Sequence, residues 1–382
     1  MEQLRRARIE IDLAALQHNA AIAKQHANVA SVMAAIKANA YGHGILVAAK
    51  ALQSIVDEFA VASMDDVLAI RQNVPECMKK PITVLSGFYS KEEVTLAAKH
   101  QATLVVYDAQ QIDMLYDAVP ALQRQNQNVQ IWFKIDTGMS RLGLTVAEFE
   151  TGLIKLELIQ QISIRGVISH FANADVPADA LNQTQLDRFE QLRQKYSAKL
   201  WQWSLANSAA ILAEKASEVG IHYDWVRPGI MLYGSSPFGH SSEKTATALG
   251  LQAVMSLKSH VISVRKVLQG QSVGYGSTWT AESDTDVAVI ACGYGDGYPR
   301  AIQPNTPILI DGQRTRILGR VSMDLIVVDL TDINAVIGSE VELWGKNISV
   351  DEIAHCAGTI GYELLCNITQ RVERIHLNGK NE

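Results

Sequence analysis

Eight short apolar runs, spread over residues 31–234, constrain this chain more than any other feature. They read SVMAAIK, EFAVAS, ITVLSG, TLVVY, VQIWFKID, SIRGVISH, WQWSLA and YDWVRPGIML. Continuous apolar character over four to seven residues, rich in Val and Ile, marks strands buried on both faces. The intervals between runs are long enough for one helix each. Eight strands alternating with helices is the pattern of a (β/α)8 barrel. Ahead of them, residues 9–26 read as a lead-in helix, with Asp12 as cap and Leu13, Leu16 and Ala20 on one face.

Polar residues recur at one place in these units. Lys37 closes the first run, Lys134 and Asp136 the fifth, and His170 the sixth. Asn207 and Ser208 follow the seventh, and Arg227 lies in the eighth. A barrel of this kind carries its chemistry at the C-terminal ends of its strands. After Gly239 the stretch GHSSEKTATALG is linker-like. Beyond it the runs turn short and alternating, and Asp311-Gly312 is a hairpin signal. The fold class expected is α/β: an N-terminal (β/α)8 TIM-type barrel, residues 1–240, followed by a C-terminal mostly-β domain, residues 241–382.

Composition excludes several roles. With 382 residues there is room for two domains. Hydrophobic residues at 48% against 19% charged fit a compact chain rather than a disordered one. A net charge of -6 argues against a nucleic-acid surface. The four cysteines are scattered, without a CxxC pair, and read as reduced thiols. The charged start MEQLRRARIEID has no apolar h-region, so no signal peptide is expected. No apolar run approaches about 18 residues, so no membrane span is expected. No metal site is expected, and a reducing cytoplasm is the default location.

The string KANAYGHG, residues 37–44, is the most specific motif. Taken alone, Lys37 is either a surface lysine at a strand–loop junction or a lysine that forms a Schiff base with an aldehyde cofactor. In this string the chain resembles alanine racemase, a pyridoxal 5'-phosphate (PLP) enzyme built of a barrel and a β-domain. The resemblance runs from Arg8 to about Ile375. It implies Lys37 as the cofactor lysine.

The resemblance also assigns the other roles. Asn207, Ser208, Gly229, Ile230 and Tyr41 would hold the cofactor phosphate, through the ANSA and VRPGI strings, with Tyr362 of IGYELLC beside them. Read alone, Ser208 is equally a plain helix N-cap. Arg227 would face the pyridine nitrogen. An arginine only donates, so that nitrogen would stay unprotonated and a carbanion at the substrate would be short-lived. His170 matches the residue that supports this arginine. Arg141 in KIDTGMSRLG would bind the substrate carboxylate. Lys134 matches a lysine that carries a carbamate in some members.

Racemisation needs a proton removed from one face of a carbon and another returned to the opposite face, which two bases accomplish directly. Lys37 would serve one face. The resemblance makes Tyr275, between Gly274 and Gly276, the second base, reaching the pocket of a partner subunit. A phenol near pKa 10 must be lowered for that task; Arg227 or Arg141 could do so. A homodimer with shared sites follows. Ser322, Met323 and Asp324 match a segment that also crosses, with the Met323 N–H on the substrate carboxylate. Tyr294 and Tyr362 match tyrosines that narrow the entrance, so alanine is favoured. An extra methylene is worth only about 1–3 kcal/mol in such a pocket, so a broader racemase acting on serine is the alternative. The expected role is D-alanine supply for peptidoglycan or alanine catabolism. Neither the adjacent-glycine phosphate loop nor the Cys-Glu donor of the barrel-plus-β decarboxylases occurs.

Overall fold

The computed structural model describes residues 7–213 and 221–378. All eight apolar runs form strands: β2 (Ser31–Ala35), β3 (Glu58–Val61), β4 (Ile82–Val84), β5 (Ala102–Val106), β6 (Val129–Lys134), β7 (Ile162–Ile168), β8 (Gln202–Ser204) and β9 (Trp225–Val226). Consecutive strands pair in parallel, and β9 returns to β2 to close the barrel. Helices occupy the intervals. Their starts carry the residues that the free N–H groups need: Thr145 and Glu148 form a reciprocal capping box, and Asp108 and Ser90 accept from the first turns of theirs.

The barrel interior is not wholly apolar. Glu58 of β3 is fully buried and meets Arg165 of β7 at 2.6 Å. The Arg165 guanidinium also lies over the rings of Trp132 and Trp225, 4.9 and 4.6 Å from their centroids. β3 and β7 are not neighbours in the sheet, so this pair spans the barrel's inside. A buried ion pair lacking one partner leaves an uncompensated charge, so the two are interdependent.

The residues fall into two compact units. The barrel unit comprises 20–40 and 44–232. The other comprises the chain up to Asn19, Tyr41–His43, and the chain from Tyr233 on. The lead-in helix starts later than its apolar periodicity suggests. Residues Arg8–Asp12 form strand β1, and the helix α1 spans Leu13–Ala27. Asp12 does cap it, accepting from the N–H groups of Ala14 and Ala15. β1 is extended because it has partners on both edges. It pairs antiparallel with β10 (Met255–Val267) and parallel with β18 (Glu373–Leu377).

The second unit is mostly β. Its sheet runs β13 (Thr285–Ile290), β16 (Ile326–Asp329), β15 (Gln313–Leu318), β14 (Pro307–Ile310), β17 (Glu340–Trp344), β10, β1, β18, and β13 also pairs with β10. Asp311 and Gly312 turn β14 into β15 with φ 47° and 78°. Both are positive, as a two-residue hairpin of matching twist requires. Two short strands, β11 (Ser272–Val273) and β12 (Trp279–Thr280), form a hairpin whose connection contains Tyr275.

Candidate active site

The barrel gathers the expected polar residues at one end. Lys37 follows β2, Lys134 ends β6, His170 follows β7, Asn207 and Ser208 follow β8, and Arg227 follows β9. Their charges are mutually felt. Half-buried Lys134 is brought down to about 8 by burial and by the cations of Arg227, Arg141 and Lys37, against the opposing pull of Asp136. His170 is held well below the usual imidazole range by burial, then by the same three cations and Lys134. It is therefore neutral near pH 7.

Arg227 is deeply buried, and burial brings it to about 10. Its Nη1 donates to the hydroxyl of Ser204, and Nη2 to the carbonyls of Ser169 and Leu205. The third nitrogen, Nε, has no hydrogen bond among the described residues. It suits an acceptor brought by a ligand, such as an aromatic ring nitrogen. Ser169 and Ser204 escaped the sequence reading, because serines on a strand end carry no motif of their own.

Arg141 lies exposed on a loop cinched at its base. Asp136 Oδ1 accepts from the N–H groups of Gly138 and Ser140, at 2.8 and 3.1 Å. Gly143, at φ 144°, brings the chain so close to Asp136 that a Cβ would lie 2.5 Å from its nitrogen. The loop is tied to the Arg227 support: Thr137 Oγ1 and Ser169 Oγ are 2.8 Å apart.

A cradle for an anion lies after β8 and β9. A short helix starts at Ser208, capped by Asn207, whose side chain accepts from Ala210 N–H. A 3-10 turn starts at Ile230, and Gly229 N–H donates to Ser208 Oγ at 2.8 Å. First-turn N–H groups lack helical acceptors and aim their partial charge outward. Two such starts side by side suit a phosphate.

Lys37 opens the most unusual backbone. Ala38, Asn39 and Ala40 have φ 52–53° and ψ 46–51°, and Tyr41 has φ 52°. This is one turn of left-handed helix without glycine. It costs roughly 1–2 kcal/mol per residue, and such strain persists where surroundings hold it. Asn39 Oδ1 accepts from Ile45 N–H, starting the next helix at 2.9 Å.

In the second unit Tyr41 and Tyr362 lie with ring centroids 6.0 Å apart. Tyr275 sits on a 3-10 turn between glycines of φ 71° and 75°, and is 70% exposed. That turn lies against Arg320: a Cβ on Gly276 would meet its guanidinium at 3.1 Å. Tyr294 and the Ser322–Asp324 segment form one assembly. Tyr294 N–H donates to Ser322 O, and Gly295 N–H to Met323 O at 2.8 Å. Arg371 clasps both, with Nε on Asp296 at 2.7 Å and Nη2 on Asp324 at 2.6 Å. Arg371 was not singled out from sequence. It lies 75 residues from Asp296, and nothing local pairs them. No group of three or more His, Cys, Asp or Glu among the described residues could hold a metal ion. No described helix is long and apolar enough to cross a membrane.

A barrel with a lysine, a buried arginine and two helix starts at its strand ends, joined to a mostly-β unit, is a frame suited to an enzyme that holds a small molecule bearing anionic groups. Comparison with known proteins narrows this. The family model for the alanine racemase N-terminal domain matches residues 11–237, and that for its C-terminal domain matches residues 254–376. The chain is 41% identical over 379 residues to an alanine racemase of Hahella chejuensis, covering 98% of this chain and 99% of that protein. It is 41% identical over 365 residues to the biosynthetic alanine racemase of Pseudomonas aeruginosa, covering 95% and 97%. The crystal structure of the biosynthetic Pseudomonas aeruginosa enzyme matches with TM-score 0.90 at 40% identity over 98% of this chain and all of that one. The alanine racemase of Bartonella henselae, solved with covalently bound pyridoxal phosphate, matches with TM-score 0.85 at 30% identity, over 97% and 99%. The chain belongs to the alanine racemase family, isomerases that racemise alanine.

Proposed function

We propose that this chain interconverts L- and D-alanine with PLP, through two bases drawn from two subunits of a homodimer. The observation that carries the reading is the cationic cluster at the barrel's C-terminal end: Lys37, Arg141 and Arg227 all lie close enough to Lys134 to lower its pKa. Such a cluster suits a ligand bearing both a phosphate and a carboxylate.

The barrel domain, residues 1–240, would bind the cofactor. Lys37 would hold it, with Asn207, Ser208, Gly229, Ile230, Tyr41 and Tyr362 about its phosphate. Arg227 Nε, which has no hydrogen bond among the described residues, would face the ring nitrogen. Bound there, PLP supplies an electron-withdrawing system that acidifies the α-proton of an attached amino acid. Arg227, donating and never accepting, keeps the ring nitrogen unprotonated and so favours prompt return of the proton. Neutral His170 stands behind it without adding charge.

Apart from Tyr362, the domain 241–382 would serve the partner's pocket. Arg141 and the N–H of the partner's Met323 orient the substrate carboxylate. Lys37 Nζ takes the α-proton on one face, and the partner's Tyr275 Oη delivers a proton to the other; the reverse direction exchanges the roles. The partner's Tyr294 and Asp324, with Tyr362, limit the space beyond a methyl side chain. Lys134, with its lowered pKa, would take up carbon dioxide as a carbamate. That step joins the neutral amine to the carbon of CO2 and releases one proton, turning a cation into an anion beside Arg141. The reaction would serve D-alanine supply for peptidoglycan, or alanine catabolism, in the cytoplasm.

A racemisation assay over a panel of L-amino acids, with PLP present and solvent deuterium as label, tests the proposal. Deuterium should appear at the α-carbon of alanine, with serine slower. Release of carbon dioxide, or a faster rate on larger side chains, contradicts it.

A further inference from the structure

His43 is 1% exposed, and its side chain has no part in the chemistry above. It closes the left-handed turn. Its Nδ1 lies 2.9 Å from the backbone oxygen of Tyr41. A carbonyl oxygen only accepts, so Nδ1 carries the hydrogen and donates. The imidazole also stacks on Tyr233, with centroids 4.6 Å apart and planes at 30°. Tyr233, 1% exposed, stacks in turn on Tyr41, at 4.6 Å and 28°. Between His43 and Tyr41, Gly42 at φ 82° packs so tightly that a Cβ would lie 2.2 Å from the carbonyl oxygen of Leu365.

Tyr41 is thus fixed twice, at its carbonyl by His43 and at its ring by Tyr233. Left-handed conformation over four non-glycine residues does not persist on local preference. Something must hold its C-terminal end, and His43 makes one contact directly and backs the other by stacking on Tyr233.

We propose that His43 is a positioning residue of the cofactor seat. Its N–H on the Tyr41 carbonyl and its stack on Tyr233 hold the turn in the form that presents Tyr41 to the cofactor phosphate and Lys37 to the cofactor aldehyde. The proposal rests on the reading that Lys37 and Tyr41 bind PLP.

Two substitutions separate the contacts. His43→Asn keeps a donor near the Nδ1 position and removes the ring; His43→Phe keeps a ring for Tyr233 and removes the donor. The full-length apoprotein is titrated with PLP, followed by the long-wavelength absorbance of lysine-bound pyridoxal, and apoprotein melting is recorded alongside. His43→Phe should weaken PLP binding roughly tenfold, the size of one lost buried hydrogen bond. His43→Asn should recover most of that loss. A bystander role would lower the melting temperature of both variants and leave PLP affinity at the wild-type value, which overturns the proposal. So does an Asn variant as weak as the Phe variant. If the Phe variant does not fold, the Asn variant decides: near-native affinity supports the proposal and tenfold loss overturns it. Failure of the PLP reading shows separately, as wild-type apoprotein that gains no such absorbance.

Discussion

Arg227 donates one guanidinium N–H to the hydroxyl of Ser204, and Ser204 passes its own hydrogen to the carbonyl of Trp225 at 2.7 Å. The cation is held by a neutral, fully buried partner. No carboxylate among the described residues hydrogen-bonds to it, so the charge stays available to a ligand. Ser204→Ala leaves a buried charged donor unpaired, which costs about 1–3 kcal/mol. Chemical denaturation of the apoprotein should show a loss of that order, and PLP affinity should fall with it.

Lys134 should make stability rise with pH in the alkaline range. Its folded pKa, about 8, is below the ordinary 10.5. Between these values the unfolded chain binds a proton that the folded chain does not, so stability increases as pH climbs through 8 to 10.5. Below 8 both states are protonated and the penalty is fully present. Lys134→Met should flatten that rise in pH-dependent denaturation. Bicarbonate should stabilise the wild type and leave the variant unmoved, and carbon-13 bicarbonate should give a carbamate resonance only in the wild type.

His170 has the matching effect on the acid side. Its folded pKa lies well below 6.5, so as pH falls through 6.5 the unfolded chain takes up a proton that the folded chain refuses. Stability drops there. Denaturation between pH 7 and 5 should show a shallower loss for His170→Gln than for the wild type.

Arg371 links the Tyr294 turn to the Met323 segment through two aspartates. Its bond to Asp324 is between exposed groups, and such pairs contribute about 0–1 kcal/mol. The bond to buried Asp296 is worth more, because its carboxylate would lose a charged partner, so melting of Arg371→Ala should fall measurably. Steady-state kinetics should also show a several-fold higher KM for alanine, because both elements proposed to meet the substrate lose their common clasp.

Much of the barrel was legible because its strands are buried on both faces and so read as unbroken apolar runs. The gathering of Lys37, Lys134, His170, Ser208 and Arg227 at one end of the barrel was legible for the same reason: they break or follow those runs at corresponding places. Strand Arg8–Asp12 was not, since five residues of alternation are overrun by the helix that follows, and its pairing partners lie near Lys258 and Glu373. The left-handed turn was also hidden. Ala-Asn-Ala-Tyr has no local cause to wind left, and the contacts that hold it come from Tyr233 and Leu365, far along the chain. Arg371 shares that non-local character.

Mixed dimers test the shared site most directly. Lys37→Ala and Tyr275→Phe chains, each expected to lose about 10²-fold or more alone, are unfolded together at equal amounts, refolded with PLP and assayed. If each site joins one chain's Lys37 to the other chain's Tyr275, a mixed dimer holds one native site. Random pairing then restores roughly a quarter of the wild-type rate. A mixture no more active than its parents, with mixed dimers demonstrated by mass spectrometry, contradicts the account.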